Sequence, residues 1–529
     1  MLLIGASSLR LAAQSFDNDS VKFRPELSRV NTTMAWMTGT NTAMLNIGDV
    51  GQVSEAEVFY GKTSGDLANY NQSTNSDRWG AAARSLYRLS DRVMMRGAVS
   101  YTNFTGRGMA GSAFINPAET PFDIVEYTTD REGKKTLEKY NLAGAIGVKL
   151  NDKFNVGAAI DFTAANYAKN RDLRHKNKLL DMWVTASATW SATDNFTVGA
   201  NYYYRRSIEG VEFSQYGATD NIIFTSLINY GAFFGVTEAF GDATGYTCKN
   251  EEKPLVDQYH GVGVQWLWRA DDHIDWSGDL SWKTRSGYYG KKSPYTVVYT
   301  DHDGSVISLS TSLAVRGESG THAIALSVDR NTVNNRENIY RTENNAGGQT
   351  DVSYYGTNDV GDRTLTTVGV DYNAYLGAEN GSEVWALGAS ADFVKRDVKA
   401  VVYPYYRRQN LTWSDINVNA ERFFFSRANR FGVKLGVITH FGGGDKAVDG
   451  AYATGSQSPL KTHTVYLDRE YEYLTKTRLG VDLAFSYRLH TKSMDYVARL
   501  GGEYVKALNA EALGNARSLA LTVSVGLNF

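Results

Sequence analysis

The sequence is short of the features that usually organise a soluble chain of 529 residues. It has one cysteine, Cys248, so no internal disulfide can staple the fold. It has only 7 prolines and no low-complexity tract, which leaves no linker to divide a length that would ordinarily make several domains. No run approaches the roughly 20 apolar residues of a transmembrane helix. Charge is nearly balanced, with 55 Lys and Arg against 57 Asp and Glu, so the basic face of a nucleic-acid binder is missing. GxSxG, HExxH, phosphate-loop and Cys/His-cluster motifs are absent too, and no catalytic residue, cofactor site or metal set is expected. What the chain has in quantity is 50 Gly, 33 Tyr and 22 Phe.

These residues fall into a period of two, clearest at the C-terminus. Leu519, Leu521, Val523, Val525, Leu527 and Phe529 share one face, and Ser518, Ala520, Thr522, Ser524, Gly526 and Asn528 the other. A soluble edge strand would alternate in the same way. The final aromatic, with an apolar residue two before it, resembles the last strand of bacterial outer-membrane β-barrels. By that resemblance Leu527 and Phe529 form the assembly signal read by the barrel assembly machinery, and outer-membrane lipids surround the strand.

Alternating segments recur at 53–61, 78–89, 92–104, 138–150, 153–166, 179–191, 196–208, 257–270 and 273–287. They continue at 305–316, 321–332, 363–376, 384–397, 410–425, 430–441, 474–490, 494–506 and 516–529. The connections alternate in length. Short ones such as Ser90-Asp91, Asn151-Asp152, Asp271-Asp272 and 317–320 carry turn chemistry, whereas 105–137, 209–256, 333–362 and 442–473 are long. Sorting by parity is what a transmembrane barrel shows, with short turns on one side and long loops on the other. The fold class expected is all-β: a closed antiparallel transmembrane meander barrel of about 18 strands.

Each strand then has a lipid face and a lumen face. Leu479, Val481, Leu483 and Phe485 oppose Arg478, Gly480, Asp482 and Ala484, for example. Trp79, Tyr140, Trp190, Tyr202 and Tyr204 are expected in interfacial girdles. The inward positions carry a basic set near the chain ends: Arg84, Arg88, Arg96, Lys434, Arg478, Arg488 and Arg499. An acidic set lies on the middle strands: Asp275, Asp279, Asp329, Asp371, Asp392 and Glu421. Closure would make them two facing arcs able to orient a polar solute. The alternative is a scatter of lumenal ion pairs that keeps the interior wet. Asp301-His302-Asp303-Gly304 reads as a turn, and Asp271-Asp272-His273, which looks like the Asp/His equipment of outer-membrane proteases, falls at the short-turn side.

The sequence divides into 1–19, where Met1 to Ala13 is expected to be a signal-peptide remnant, then 20–52, then the barrel 53–529. Residues 20–52 lack the two-residue period and are expected to plug the lumen or cap it, with Glu26 or Asp49 reaching the basic arc. The NTAML stretch, Asn41 to Leu45, is similar to the N-terminal hatch of fatty-acid-transporter-like barrels. Length, Tyr/Asn-rich loops and terminal Phe together resemble large outer-membrane barrels of Bacteroidota. Some of those are encoded beside TonB-dependent receptors and surface lipoproteins. The 22-strand TonB-dependent class itself carries a globular plug of well over about 100 residues, which is not found before this barrel. The resemblance implies a place, the outer membrane. The charged lumen then points to a channel or transporter for a small polar solute. An accessory barrel holding a lipoprotein or TonB-dependent receptor is the alternative, and a rim hydrolase, supported only by isolated Asp/His neighbours, is a second one. Tyr354-Tyr355, Tyr403 to Tyr406 and Phe233-Phe234 are the loop aromatics that would serve the accessory role.

Overall fold

The computed structural model describes residues 22–48, 50–127, 131–216, 222–241, 244–249, 251–344, 350–454, 461–514 and 516–529. The signal stretch and Asp49 lie outside the described residues. Eighteen strands form one sheet in which each pairs antiparallel with its neighbour in the chain. The last, Arg517–Asn528, closes on the first, Gln52–Ser64, with Val58 opposite Val525 and Tyr60 opposite Val523. The Phe529 N–H donates to the Ser54 carbonyl at 2.9 Å and the Phe529 backbone oxygen accepts from the Ser54 N–H at 3.1 Å, so the chain end completes the seam. Closure leaves no sheet edge within the belt, the condition for strands in hydrocarbon. Alternate side chains all round the barrel are apolar and exposed, including Val525 at 59%, Leu435 at 60% and Trp282 at 52%. A continuous exposed belt of this kind needs lipid, because soluble monomers seldom expose more than a few hundred Å² of contiguous apolar surface. Trp79, Tyr140, Trp190 and Tyr202 lie exposed on that outer face.

At the turn end the strands stop where expected, but at the loop end they run on. The hairpin of Gly320–Asn344 and Thr350–Leu376 takes up most of what reads as the loop 333–362. Ile274–Ser293 and Thr296–Gly317 likewise meet across only two residues. The ladder needs only backbone hydrogen bonds, whereas the two-residue apolar signal ends where lipid ends. Asp301-His302-Asp303-Gly304 is therefore strand and not turn, with His302 buried. The start of 474–490 is corrected the other way. Thr464–Thr475 is a helix, and the strand begins at Arg478. Glu472 accepts from the Glu511, Ala512 and Leu513 amides and ties this helix to the next loop.

Residues ahead of the first strand fold inside the lumen at the turn end. Two helices, Leu27–Thr33 and Ala35–Thr38, lead to a 3₁₀ segment, Thr42–Ile47. Leu27, Val30, Trp36, Met37, Met44 and Leu45 pack with inward-facing Val53, Leu86, Met94, Ala145 and Leu267 of the wall. Glycines in the wall make room for the 3₁₀ segment. A Cβ on Gly147 would stand 2.6 Å from the Thr42 carbonyl oxygen, and one on Gly157 2.5 Å from the Ala43 nitrogen. Asn41 then fixes the register: its amide donates to Ala188 O, Ala200 O and Gln265 Oε1, and its oxygen accepts from Ala43 N.

The other end is lidded. A four-stranded sheet of Asp123–Glu126, Thr225–Gly231, Phe234–Ala239 and Lys461–Thr462 is built from the long loops. Phe114, Phe122, Ile228, Tyr230, Phe234 and Tyr246 from these loops share a core with Tyr289, Tyr299, Val360 and Ala400 of the wall. Phe233 and Phe234, expected as partner-facing aromatics, are thus buried at 1% and 3% exposure. Wall cations reach up to this lid: Lys169 pairs with Glu126 at 2.6 Å, and Lys135 donates to Ser112 O at 2.7 Å. Arg407 donates to Ala232 O at 3.1 Å.

Candidate functional site: a lumen closed at both ends

Glu26, at the N-cap of the first plug helix, is the electrostatic anchor of the turn end. It pairs with Arg430, with Arg488 at 2.9 Å and with Arg499 at 3.5 Å, three residues on consecutive wall strands. Burial alone would push this carboxyl up, but the three guanidiniums outweigh it and hold its pKa at about 2. Arg488 is itself shared with Asp495 at 2.6 Å, and Asp495 takes Arg24 at 2.9 Å. Further wall arginines cap the C-terminal carbonyls of the plug helices. Arg316 donates to Thr33 O, Arg269 to Ile47 O and Arg88 to Gly48 O. Cations suit these ends because the unpaired carbonyls there carry partial negative charge.

The basic set is mostly engaged. Arg84 pairs with Glu55 at 3.2 Å and Lys434 with Asp482 at 3.0 Å. Arg478 lies 4.8 Å from the Tyr473 ring centre, and Arg96 faces Asp161 across a cavity both residues line. In the acidic set, Asp275 pairs with Arg316, Asp279 accepts from Thr40, and Glu421 accepts from Ser486 at 2.9 Å. Asp371 and Asp392 have no ion pair among the described residues; Asp392 stands opposite Asp415 in the ladder. Asp329 lines a cavity with Lys283. The two sets occupy different strands but meet where Glu421 stands directly opposite Lys434 in the ladder, and local pairs and the plug absorb much of their charge. Leu527 lies opposite Ala56 at the seam.

Arg430 was missed, although it shares a face with Lys434 on one strand and the same alternation would have found it. Arg24 was missed because nothing in a non-periodic segment says which way a side chain points.

Between plug and lid lie two adjoining cavities of about 400 and 250 Å³ that share Gly39, Thr40 and Tyr203. A third, of about 210 Å³, lies under the lid with Asn69, Asn229, Arg363, Arg396 and Trp413 in its wall. Among the described residues no group of three His, Cys, Asp or Glu is placed to hold a metal ion. Asp271 accepts from the His273 and Ile274 amides, an Asx turn at the closed end.

Comparison with solved structures returns other barrels at low similarity. The ferric preacinetobactin receptor BauA from Acinetobacter baumannii is 9% identical with a TM-score of 0.40, covering 90% of this chain and 80% of that one. The copper transporter OprC is 10% identical with a TM-score of 0.40, covering 91% and 81%. The outer membrane transporter YddB from Escherichia coli is 7% identical with a TM-score of 0.40, covering 90% and 81%. These scores are too low to carry an argument about function. No curated protein matches the chain. Over residues 42–529, which take in the Asn41-capped 3₁₀ segment and the whole barrel, the chain belongs to a family of unknown function, DUF6850.

Proposed function

We propose that the protein is an outer-membrane barrel that passes a small polar solute, and that residues 22–48 close its lumen at rest. The observation that carries this reading is the two-part attachment of the plug. An apolar face seals it to the wall, and ion pairs hold it there, chief among them Glu26 against three arginines, with Arg24–Asp495 and Arg29–Glu383 beside it. A purely structural filling has no need of a central carboxylate that protonation or a competing anion can weaken. The Asn-led hatch resemblance fits this role, because Asn41 is the residue that seats the 3₁₀ segment. The reading is of a transport protein of the Bacteroidota type and not of an enzyme. The test is conductance in a planar bilayer: small for the intact chain and for a chain lacking only the lid strands 225–239, and sharply higher when 22–48 is deleted as well. Silence from the doubly deleted, folded barrel would refute it.

A second reading has its own observation. The tall hairpin ends in exposed Tyr354 and Tyr355, at 48% and 68%, and Tyr403 is exposed at 73%. An accessory barrel holding a surface lipoprotein or a TonB-dependent receptor would use such a surface. Co-purification of a partner that is lost on Tyr355→Ser and Tyr403→Ser would favour it.

A further inference from the structure

One ring of inward positions runs Arg205, Tyr259, Arg285, Gly304, Val333 and Arg363, each directly opposite the next in the ladder. Two of its arginines are spoken for. Arg205 forks onto Asp181 at 2.9 and 2.7 Å, and Arg285 onto Asp257 at 2.6 and 3.0 Å. Arg363 is different. Among the described residues its side chain makes no hydrogen bond or ion pair, and it lines the 210 Å³ cavity under the lid, whose wall also carries Asp123, Asp362 and the Arg396-bound Glu470. Arg396, on the next strand, lines the same cavity and is held by Glu470 and Gln409. Arg363 lies within electrostatic reach of both Arg285 and Arg396, and the acid that acts on it is Glu119 of the loop above. One donor in the cavity wall is also unused: Arg396 Nε is buried without a partner.

Buried donors are normally satisfied, and an unpaired guanidinium beside two others is costly unless an anion joins them. The planar fork of arginine matches the oxygens of a carboxylate or phosphate. Gly304 and Val333 keep the ring low between Arg285 and Arg363. The volume is below the roughly 300–1,000 Å³ of sites for drug-sized ligands, so the occupant is small.

We infer that Arg363, with Arg396 beside it, is the centre of a binding site for a small oxyanion beneath the lid. This names the class of solute for the path proposed above and rests on that reading, but the site is tested by equilibrium binding alone. Titrating the detergent-purified full chain calorimetrically with inorganic phosphate and with citrate separates the two chemistries, with glucose as the uncharged control. Saturable binding of one anion, no binding of glucose, and at least about tenfold weaker binding by Arg363→Gln are expected. Arg107→Gln, which removes a charge from a pair with Asp77 outside this site, should bind as the parent does. Should Arg363→Gln fail to give the heat-modifiable migration of a folded barrel, Arg363→Lys decides, because it keeps the charge but loses the fork and should also bind more weakly. Failure of both anions to bind the parent, or parental affinity in the folded Arg363 variants, would overturn the inference. Anion binding without any conductance would remove the transport reading alone, and conductance without anion binding would remove this site alone.

Discussion

The Glu26 lock gives a prediction with a worked magnitude. Its carboxyl is held at about 2 against an ordinary 4.5, so the ionised form binds its site more tightly than the protonated form does. That displacement is worth about 3 kcal/mol at 1.36 kcal/mol per pH unit. A depressed acid stabilises the docked state fully above its free value and loses that contribution as pH falls through the docked one. The window is therefore roughly pH 4.5 down to 2. Glu26→Gln should remove the contribution at every pH and leave Arg430, Arg488 and Arg499 without their shared counter-charge, shifting the docked-to-released ratio by about two orders of magnitude. The apolar contacts of Leu27, Val30, Trp36, Met37, Met44 and Leu45 and the Arg24–Asp495 and Arg29–Glu383 pairs remain, so the variant should flicker open and not stay open. Two measurements read this: bilayer conductance at neutral pH in the background lacking 225–239, and protease cleavage within 22–48 in liposomes. The parent should show both only as pH falls below about 4.5, and Glu26→Gln should show both at pH 7. Equal conductance and equal protection for the two proteins at pH 7 would refute the lock.

Val523→Lys places a charge on the exposed outer face and should cost roughly 2–4 kcal/mol near mid-membrane, whereas Thr522→Lys faces the wet lumen and should be tolerated; folded yield in the membrane fraction compares them. The lid should respond to pH in the opposite sense to the plug. Burial pushes the Asp123 carboxyl up to about 6, against the hydrogen bonds it receives from Ser112 and Tyr70, so its charged form penalises the lid above that pH. Protease protection of 110–127 should therefore rise as pH falls from 7 to 5, and a lid indifferent to pH over that range would contradict the assignment.

The number of strands and their two faces were legible because lipid enforces a period of two that nothing else in the chain obscures. Their outer ends were not. From Ser353 to Asp359 both faces are exposed to water, so alternation disappears while pairing with 336–341 continues. The plug was recognisable only as the place where the period fails, since helices of 7 and 4 residues are too short to display a helical repeat. The lid was illegible for another reason. The apolar run around Phe224 to Phe234 finds its partners at Tyr289, Val360 and Ala400, far along the chain, and a local reading sees only a loop rich in aromatics. The arcs were readable as faces but not as fields, because the acids that quench Arg84, Lys434 and Arg488 are set by cross-strand register and by the plug.

The unequal strand lengths have a mechanical consequence. At about 3.4 Å per residue and a tilt near 40°, the 27-residue strand Thr350–Leu376 rises about 70 Å, of which lipid covers about 25 Å. Across the barrel, the 16-residue strand Phe154–Lys169 rises only about 40 Å. The rim is thus a slope of about 30 Å from one side to the other. Anything arriving from outside meets a high ribbon on one flank and a low sill at 170–173 on the other. On the proposed transport reading, the shorter way to the lid lies over the sill, with the ribbon standing behind it.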